Sequence, residues 1–245
     1  MIPIIVAVAL FGSFAAIDVL YTGILSIIFA VNIVLRFKFV NDRGDWIFFL
    51  IGIAGGGGND LLSMIRGVYD YTSLTYLPFL NDLMPVWMIC FWGQVFLLFR
   101  KIFNFPLFSG EEFKKNNRFL KGWVHPKLLV DIGLIVLLRT VIYTTYNWDA
   151  WIPALIYGVT VIARFVVFRP RKNEWCIIAI LPYAFIFEGL MVSFGLYVYY
   201  NPAFMGLPLW LMIWWMFLVP IFIKEVFDMV EYVLKQKGAK SEGAP

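Results

Sequence analysis

Two carboxylic acids occupy matching places inside apolar segments of this 245-residue sequence. Asp60 follows the glycine run 55–58, and Glu188 lies 128 residues further along the chain. A carboxyl group in an apolar membrane helix is costly and usually faces the bundle interior, so a functional role is the first hypothesis. Burial disfavours the charged form, so either acid could hold a proton and pass it to a substrate. The structural alternative is an interhelical hydrogen bond, or an ion pair with Arg66 or Arg139.

A Tyr-x-Tyr sequence follows each acid at the same distance. Its hydroxyl groups could donate hydrogen bonds, and its ring faces could shield a cation. Aromatic residues that only anchor or pack the helices near a membrane surface are the alternative explanation. The candidate ligand-binding residues are Asn59, Arg66, Tyr69, Tyr71, Trp87, Tyr197, Tyr199 and Trp210.

The helix is weakened just before each acid. The run 55–58 consists of four glycines, and Pro182 precedes Glu188 at the matching place. Glycine allows close backbone approach, and proline removes a helix hydrogen bond. Interrupted helices near polar residues often mark binding sites in membrane proteins, although close helix packing explains the glycines equally well.

Motifs for cofactor or metal chemistry are missing from the sequence. It has one histidine, no HExxH motif, no aspartate-rich DDxxD motif and no Walker motif, because no Gly-Lys-Ser/Thr follows the glycine run. We therefore expect no metal and no cofactor. The basic residues follow a topological pattern, so no nucleic-acid partner is expected either.

The elements that carry these residues are predicted to be membrane helices. The chain is 62% hydrophobic and 15% charged, whereas a soluble domain has roughly 45–50% apolar and about 25% charged residues. Apolar runs of about the length of a membrane span predict an all-α bundle of about eight transmembrane helices, and six spans remain an alternative. The predicted helices are 3–20, 22–39, 46–66, 84–102, 128–144, 151–168, 174–199 and 206–233.

The direction of the spans follows from the basic residues. Of the 20 lysines and arginines, 18 lie in alternate connections or at the C-terminal end, and the exceptions are Arg66 and Arg139. Basic loops remain in the cytoplasm. The sequence thus predicts a cell-membrane protein with its N-terminus outside and its C-terminus in the cytoplasm.

The chain also repeats itself at a spacing of 128 residues, which is shortened by five residues towards the end of the second copy. The repeated positions are Arg36 and Arg164, Phe37 and Phe165, Asp60 and Glu188, Gly67 and Gly195, the two Tyr-x-Tyr pairs, Pro85 and Pro208, and Trp87 and Trp210. Chance alignment of aromatic-rich helices is the alternative to an internal duplication.

A duplication of four spans gives both copies the same orientation, as in transporters built from parallel repeats. The predicted divisions are a first four-helix repeat at 1–102, a basic cytoplasmic linker at 103–127, a second four-helix repeat at 128–234 and a polar tail at 235–245. The ligand cavity is expected between the two repeats.

The segment from Gly195 to Trp210, which reads GLYVYYNPAFMGLPLW, resembles known carotenoid enzymes. It is similar to the repeat of heterodimeric-type lycopene cyclases and to the carotenoid-biosynthesis family that contains bisanhydrobacterioruberin hydratase. Arg36, Trp46 and Asp60 fit the earlier part of that pattern. The resemblance implies an integral membrane enzyme that protonates an alkene of an isoprenoid.

One departure from the cyclase pattern bears on this expectation. Cyclases have Pro-x-Glu-Glu where this chain has Pro85-Val-Trp-Met and Pro208-Leu-Trp-Leu. The acids expected for cyclisation are thus absent, and Asp60 and Glu188 could take a related role. Three functions remain open: a protein that binds or modifies an isoprenoid or carotenoid-like lipid by hydration or cyclisation, a small-solute or proton-coupled transporter, and a subunit of a larger membrane complex.

Overall fold

The structure, a computed structural model, describes residues 19–72, 84–108, 126–170, 174–175, 181–193 and 195–242. This part of the chain is predominantly helical, as the sequence predicts. Its elements are α1 (Val19–Phe39), α2 (Asp45–Gly52), α3 (Gly58–Ile65), β1 (Tyr69–Tyr71), α4 (Val86–Phe103), α5 (Pro126–Thr145), α6 (Trp151–Val167), α7 (Leu181–Ser193), β2 (Tyr197–Tyr199) and α8 (Leu209–Glu242). Positions 3–18 of the predicted first helix and positions 109–125 of the predicted linker lie outside the described residues, whereas positions 19 and 20 belong to α1.

The glycine run does not break its helix. A π-helical turn at Ile53–Gly57 joins α2 to α3, so that one continuous element runs from Asp45 to Ile65. A π turn holds one extra residue and often lies at functional sites. Gly56 within it packs against the indole of Trp92. A side chain would not fit there, since a Cβ at this position would lie 2.2 Å from the ring. The glycines therefore allow α4 to approach closely just before Asp60.

α3 and α7 end in the same way, each at a glycine in the left-handed conformation. Gly67 has φ +74° and Gly195 has φ +72°. The amide of Gly67 donates to the Met64 carbonyl at 2.9 Å, and that of Gly195 donates to the Val192 carbonyl at 2.9 Å. With the next amide bonded five residues back in both cases, this is a Schellman motif, which turns the chain out of the helix.

A short antiparallel ribbon follows these two turns. β1 pairs with β2 in the register Tyr69 to Tyr199 and Tyr71 to Tyr197. The prediction of one helix over 174–199 is therefore wrong for its last residues, where the chain is a strand. Alternating aromatic and β-branched residues after a glycine favour a strand over a helix.

The last helix is longer than predicted. α8 runs from Leu209 to Glu242, whereas the sequence predicts a helix that ends at 233 and a polar tail from 235. Lysine, glutamine, alanine and glutamate around this end have high helix propensity, which is consistent with the extension.

Two described helices are long and apolar enough to cross a membrane. They are Asp45–Ile65 and Lys127–Thr145, and Trp151–Val167 is a shorter apolar helix. The predicted total of eight spans and their direction are not tested by this observation.

Charged side chains are buried in the described part of the chain, and they are mostly paired. Asp45, with no exposed surface, accepts from Arg100 at 2.5 Å and from Arg36 at 3.1 Å. Arg100 also contacts Glu231 of α8 at 2.7 Å. This network joins α1, α2 and α4 through the carboxylate of Asp45, and Arg100 extends it to α8.

A second buried pair links α5 to α6. Both oxygens of the Asp131 carboxylate accept from the Arg164 guanidinium, at 2.9 and 2.7 Å. Lys127 at the start of α5 contacts Glu174 and Glu225. Buried charges of this kind stabilise a fold only when each keeps its partner.

Replacement of Asp45 with asparagine is expected to destabilise the fold strongly. The change leaves the guanidinium of Arg36 without its carboxylate and removes one of the two carboxylates that Arg100 contacts, at a cost of about 3–5 kcal/mol. Unfolding of the purified protein in detergent measures this cost. Asp42→Asn is the matched control, because its pair with Lys101 is about half exposed and contributes less than about 1 kcal/mol. Equal losses in both variants would contradict the proposed role of the network.

Candidate functional site

Asp60 and Glu188 lie on the walls of the same two cavities. Each acid is only 8% exposed. The larger cavity has a volume of about 240 Å³, and the smaller has a volume of about 120 Å³. The residues that line both cavities are Asp60, Tyr69, Trp92, Glu188, Tyr199 and Trp215.

Asp60 is held by two aromatic donors. The indole N–H of Trp92 donates to its Oδ2 at 2.5 Å, and the hydroxyl of Tyr71 donates to the same oxygen at 3.4 Å. Indole is only a donor, so its hydrogen bond fixes the orientation of the Asp60 carboxyl group.

Glu188 has the equivalent partners in the second half of the chain. The indole N–H of Trp215 donates to Oε1 at 3.1 Å, and the hydroxyl of Tyr199 donates to Oε1 at 3.2 Å. Tyr197 donates to Oε2. Each acid therefore accepts hydrogen bonds from one tryptophan and from the second tyrosine of its own Tyr-x-Tyr sequence.

The two tryptophans also contact each other. Trp92 on α4 and Trp215 on α8 stack with ring centroids 6.4 Å apart and an angle of 9° between the planes. Neither tryptophan is among the residues that the sequence predicts to bind the ligand. Their separation of 123 residues equals that of Trp87 and Trp210, so the shortened repeat spacing could have identified them.

The β-ribbon positions the four tyrosines. Side chains alternate between the two faces of a strand, and here the tyrosines point inwards while Asp70 and Val198 are exposed. Ring centroids are 5.1 Å apart for Tyr69 and Tyr199 and 5.4 Å apart for Tyr71 and Tyr197. The pairing of β1 with β2 thus gathers residues from both halves beside the acids.

One arginine lines the larger cavity. Arg139 on α5 is 8% exposed and donates through Nη2 to the hydroxyl of Ser63 and to the carbonyl of Asn59, the latter at 3.4 Å. Its guanidinium lies over the rings of Trp214 at 4.8 Å and Tyr143 at 5.0 Å. The sequence suggests a role for Arg139 only as an ion-pair partner of Asp60 or Glu188.

The remaining predicted residues fall in different places. Asn59 and Trp210 line the larger cavity, whereas Tyr71 and Tyr197 line the smaller one. Trp87 and Arg66, in contrast, are not among the cavity-lining residues.

Their positions explain why. Trp87 is packed inside the core, with its ring centroid 6.4 Å from that of Phe29 and 6.3 Å from that of Tyr71. Arg66 is the exposed residue at the C-terminal end of α3. The sequence predicts that both bind the ligand, and neither lines the two cavities that the acids share.

The rest of the smaller cavity is apolar. Its other lining side chains include Met88, Phe91, Val95, Leu98, Phe99, Ile102, Phe187 and Met191. The described residues contain no group of three or more His, Cys, Asp or Glu side chains that could hold a metal ion. The site therefore combines two oriented carboxyl groups with apolar space, which suits proton transfer to a hydrophobic ligand.

Comparison with known proteins gives a likeness of fold. The sequence matches no protein-family model and no curated protein. The crystal structure of a cross-linked trimer of an MvINS cysteine variant superposes with a TM-score of 0.57 at 11% sequence identity, over 77% of this chain and 96% of that one. At this identity the similarity concerns the fold alone.

The contact between Gly56 and Trp92 provides a test of how the site is positioned. Gly56→Ala places a methyl group against the indole ring, so we expect the ring to move away from Asp60 and the protein to lose about 1–3 kcal/mol. Tryptophan emission and unfolding in detergent measure both effects. Gly58→Ala is the control, because a Cβ there meets nothing within 4 Å. Unchanged emission and stability in Gly56→Ala would contradict the close approach.

Proposed function

We propose that the chain is a polytopic membrane protein that binds or modifies an isoprenoid or carotenoid-like lipid in the cavities around Asp60 and Glu188. Its proposed topology is eight membrane spans in two parallel repeats, with the N-terminus outside and the C-terminus in the cytoplasm. The observation that carries the proposal is the sharing of one aromatic, largely apolar site by two hydrogen-bonded carboxyl groups.

The distribution of side chains supports a membrane location. Large apolar residues on the helix surfaces are more than half exposed, whereas Asp131 and Arg164 are almost completely buried. This pattern is opposite to that of a water-soluble protein and suits a lipid surround, in which charges pair inside the bundle. The exposed residues include Ile27, Val136, Leu155, Ile162 and Val166.

The chemistry of the site supports a lipid with alkene groups. A protonated Asp60 or Glu188 transfers its proton to the less substituted carbon of a terminal alkene, and the positive charge forms on the tertiary carbon. Aromatic ring faces such as those of Trp92, Trp215 and Tyr199 stabilise a cation. No redox step is needed.

The cation can react in two ways, and atoms and charges balance in both. Water can add to the cationic carbon and return a proton to the carboxylate, which gives the hydrated lipid. Alternatively, a second alkene of the same molecule can attack the cation, and loss of a proton to the carboxylate gives a ring. The resemblance of the segment 195–210 to carotenoid enzymes agrees with both, and the missing Glu-Glu pair favours hydration.

Proton-coupled transport is the second candidate function. The specific observation in its favour is that Asp60 and Glu188 line the same two adjoining cavities, since acids that bind and release protons inside a bundle are common in transporters. Transport predicts solute or proton flux into liposomes without any change in the lipid.

The membrane location predicts the behaviour of the protein in cells. The full chain is expected to stay in the membrane pellet after a carbonate wash and to be released by detergent. A fluorescent protein fused after residue 245 is expected to fluoresce, because the basic C-terminal end remains in the cytoplasm. Release by carbonate would contradict a spanning topology, and a dark fusion would contradict the direction.

The acids provide the test of activity. Asp60→Asn and Glu188→Gln keep the shape of the side chain and remove the acid, so each is expected to lower conversion of an acyclic carotenoid at least about 100-fold. Chromatography of pigments incubated with the protein in nanodiscs measures conversion. Asp70→Asn is the control, because Asp70 lies on the exposed face of the ribbon.

Three results separate the two candidates. Product formed by the wild type and by Asp70→Asn, but not by the acid variants, supports the enzyme. Flux that is abolished by the acid variants without any lipid product supports transport. Absence of product, together with no isoprenoid enriched in lipids extracted from the purified protein, would overturn the lipid proposal.

A further inference from the structure

We propose that Arg139 binds the head group of the ligand, and that this ligand is a lipid whose apolar chain ends in a carboxylate. The inference rests on the proposed function and narrows it, since it gives the class of lipid and the direction in which the lipid lies. It concerns the larger cavity, to which Arg139 of α5 and Asn59 of α3 bring polar groups, while Ser63 of α3 accepts a hydrogen bond from the guanidinium.

The partners of Arg139 differ from those of the other buried arginines. Arg100 and Arg164 each donate to a carboxylate at 2.9 Å or less. Arg139 is similarly enclosed, yet its guanidinium contacts hydroxyl groups, a backbone carbonyl and ring faces among the described residues. A buried guanidinium without an anion in contact carries a large desolvation cost, which an anionic ligand would offset.

Asp60 does not fill this role. It lines the same cavity as Arg139, but it forms no ion pair with the arginine among the described residues, and its Oδ2 is held by Trp92 and Tyr71. An anionic head group at Arg139 requires a protonated Asp60 beside it, because two adjacent anions would repel each other. The same protonated state is needed for proton transfer to an alkene.

The two halves of the site differ in polarity, and the difference sets the orientation of the ligand. Asn59 and Ser63 of α3 correspond, at the repeat spacing of 128, to Phe187 and Met191 of α7. Polar groups therefore lie around Arg139, while the matching positions line the apolar smaller cavity. The head group of the lipid fits the larger cavity. Its apolar chain extends past Trp92 towards the smaller cavity.

The charge of the site selects a carboxylate. One guanidinium matches one carboxylate through two parallel hydrogen bonds. A phosphate monoester carries up to two negative charges, and Arg139 is the only basic residue among those that line the larger cavity in the described chain. With Asp60 and Glu188 both protonated, a single monoanion balances the charge of Arg139.

The test compares three probes with the full chain in nanodiscs. Retinoic acid is an isoprenoid carboxylate, retinol has the same chain with an alcohol, and oleate is a carboxylate on an unbranched chain. Binding is followed by quenching of tryptophan emission, since Trp92, Trp214 and Trp215 line the cavity. We expect retinoic acid to bind the wild type about tenfold more tightly than retinol, because only the acid forms a charge-assisted hydrogen bond with the guanidinium.

Substitution then assigns the preference to one residue. Arg139→Met is expected to bind the acid and the alcohol equally, and Arg139→Lys to keep part of the preference. Arg66→Met is the matched control, because that arginine is exposed and outside both cavities, so the full preference should remain. If Arg139→Met does not fold, Ser63→Ala, which removes a partner of the guanidinium, is expected to change the preference instead.

Each outcome bears on a different proposal. Equal binding of acid and alcohol to the wild type, or a preference that survives in Arg139→Met, overturns the head-group role while leaving isoprenoid binding intact. Oleate that binds as tightly as retinoic acid, with both weakened in Arg139→Met, supports the head-group role and contradicts the isoprenoid assignment. Failure of all three probes to bind overturns both.

Discussion

The pairing of β1 with β2 is the constraint on which the site depends. The ribbon brings residues that are 126 to 130 positions apart in the sequence into register, so that Tyr69 faces Tyr199 and Tyr71 faces Tyr197. Its backbone hydrogen bonds are symmetric, because Thr72 donates to the Leu196 carbonyl at 3.1 Å and Tyr200 donates to that of Val68 at 3.1 Å. A strand has two faces, and here the inner face supplies hydroxyl groups to both acids.

The ribbon can form only because both preceding helices end at a glycine. Gly67 and Gly195 adopt positive φ angles that most side chains disfavour. Each turns the chain from its helix into the strand after an equal number of residues from the acid, so the second tyrosine of each pair reaches back to the carboxyl group of its own half. Local backbone geometry thereby determines the hydrogen bonds of the site.

The two helix ends and the β-ribbon are nearly symmetric, whereas the side chains that line the cavities are not. Asp60 and Glu188 have equivalent tryptophan and tyrosine partners, whereas Arg139 donates to Ser63 and to the Asn59 carbonyl of α3, on the side of Asp60. The two acids thus have equivalent hydrogen-bond partners, while the side chains around them differ between the two halves. The π turn at 53–57 adds to this difference, because Gly56 within it packs against Trp92 of α4 just before Asp60.

The sequence by itself determined the helices and the matched spacing of Asp60 and Glu188, because hydrophobic runs, glycine positions and repeated motifs are local signals. Strand pairing, the stacking of Trp92 on Trp215 and the place of Arg139 were decided only by the tertiary structure. These depend on contacts between residues more than 70 positions apart, which leave no local pattern and arise only when the helices pack. Arg66 and Trp87 show the limit of local signals. Their residue types and spacing predict ligand binding, but neither side chain lines a cavity with the acids.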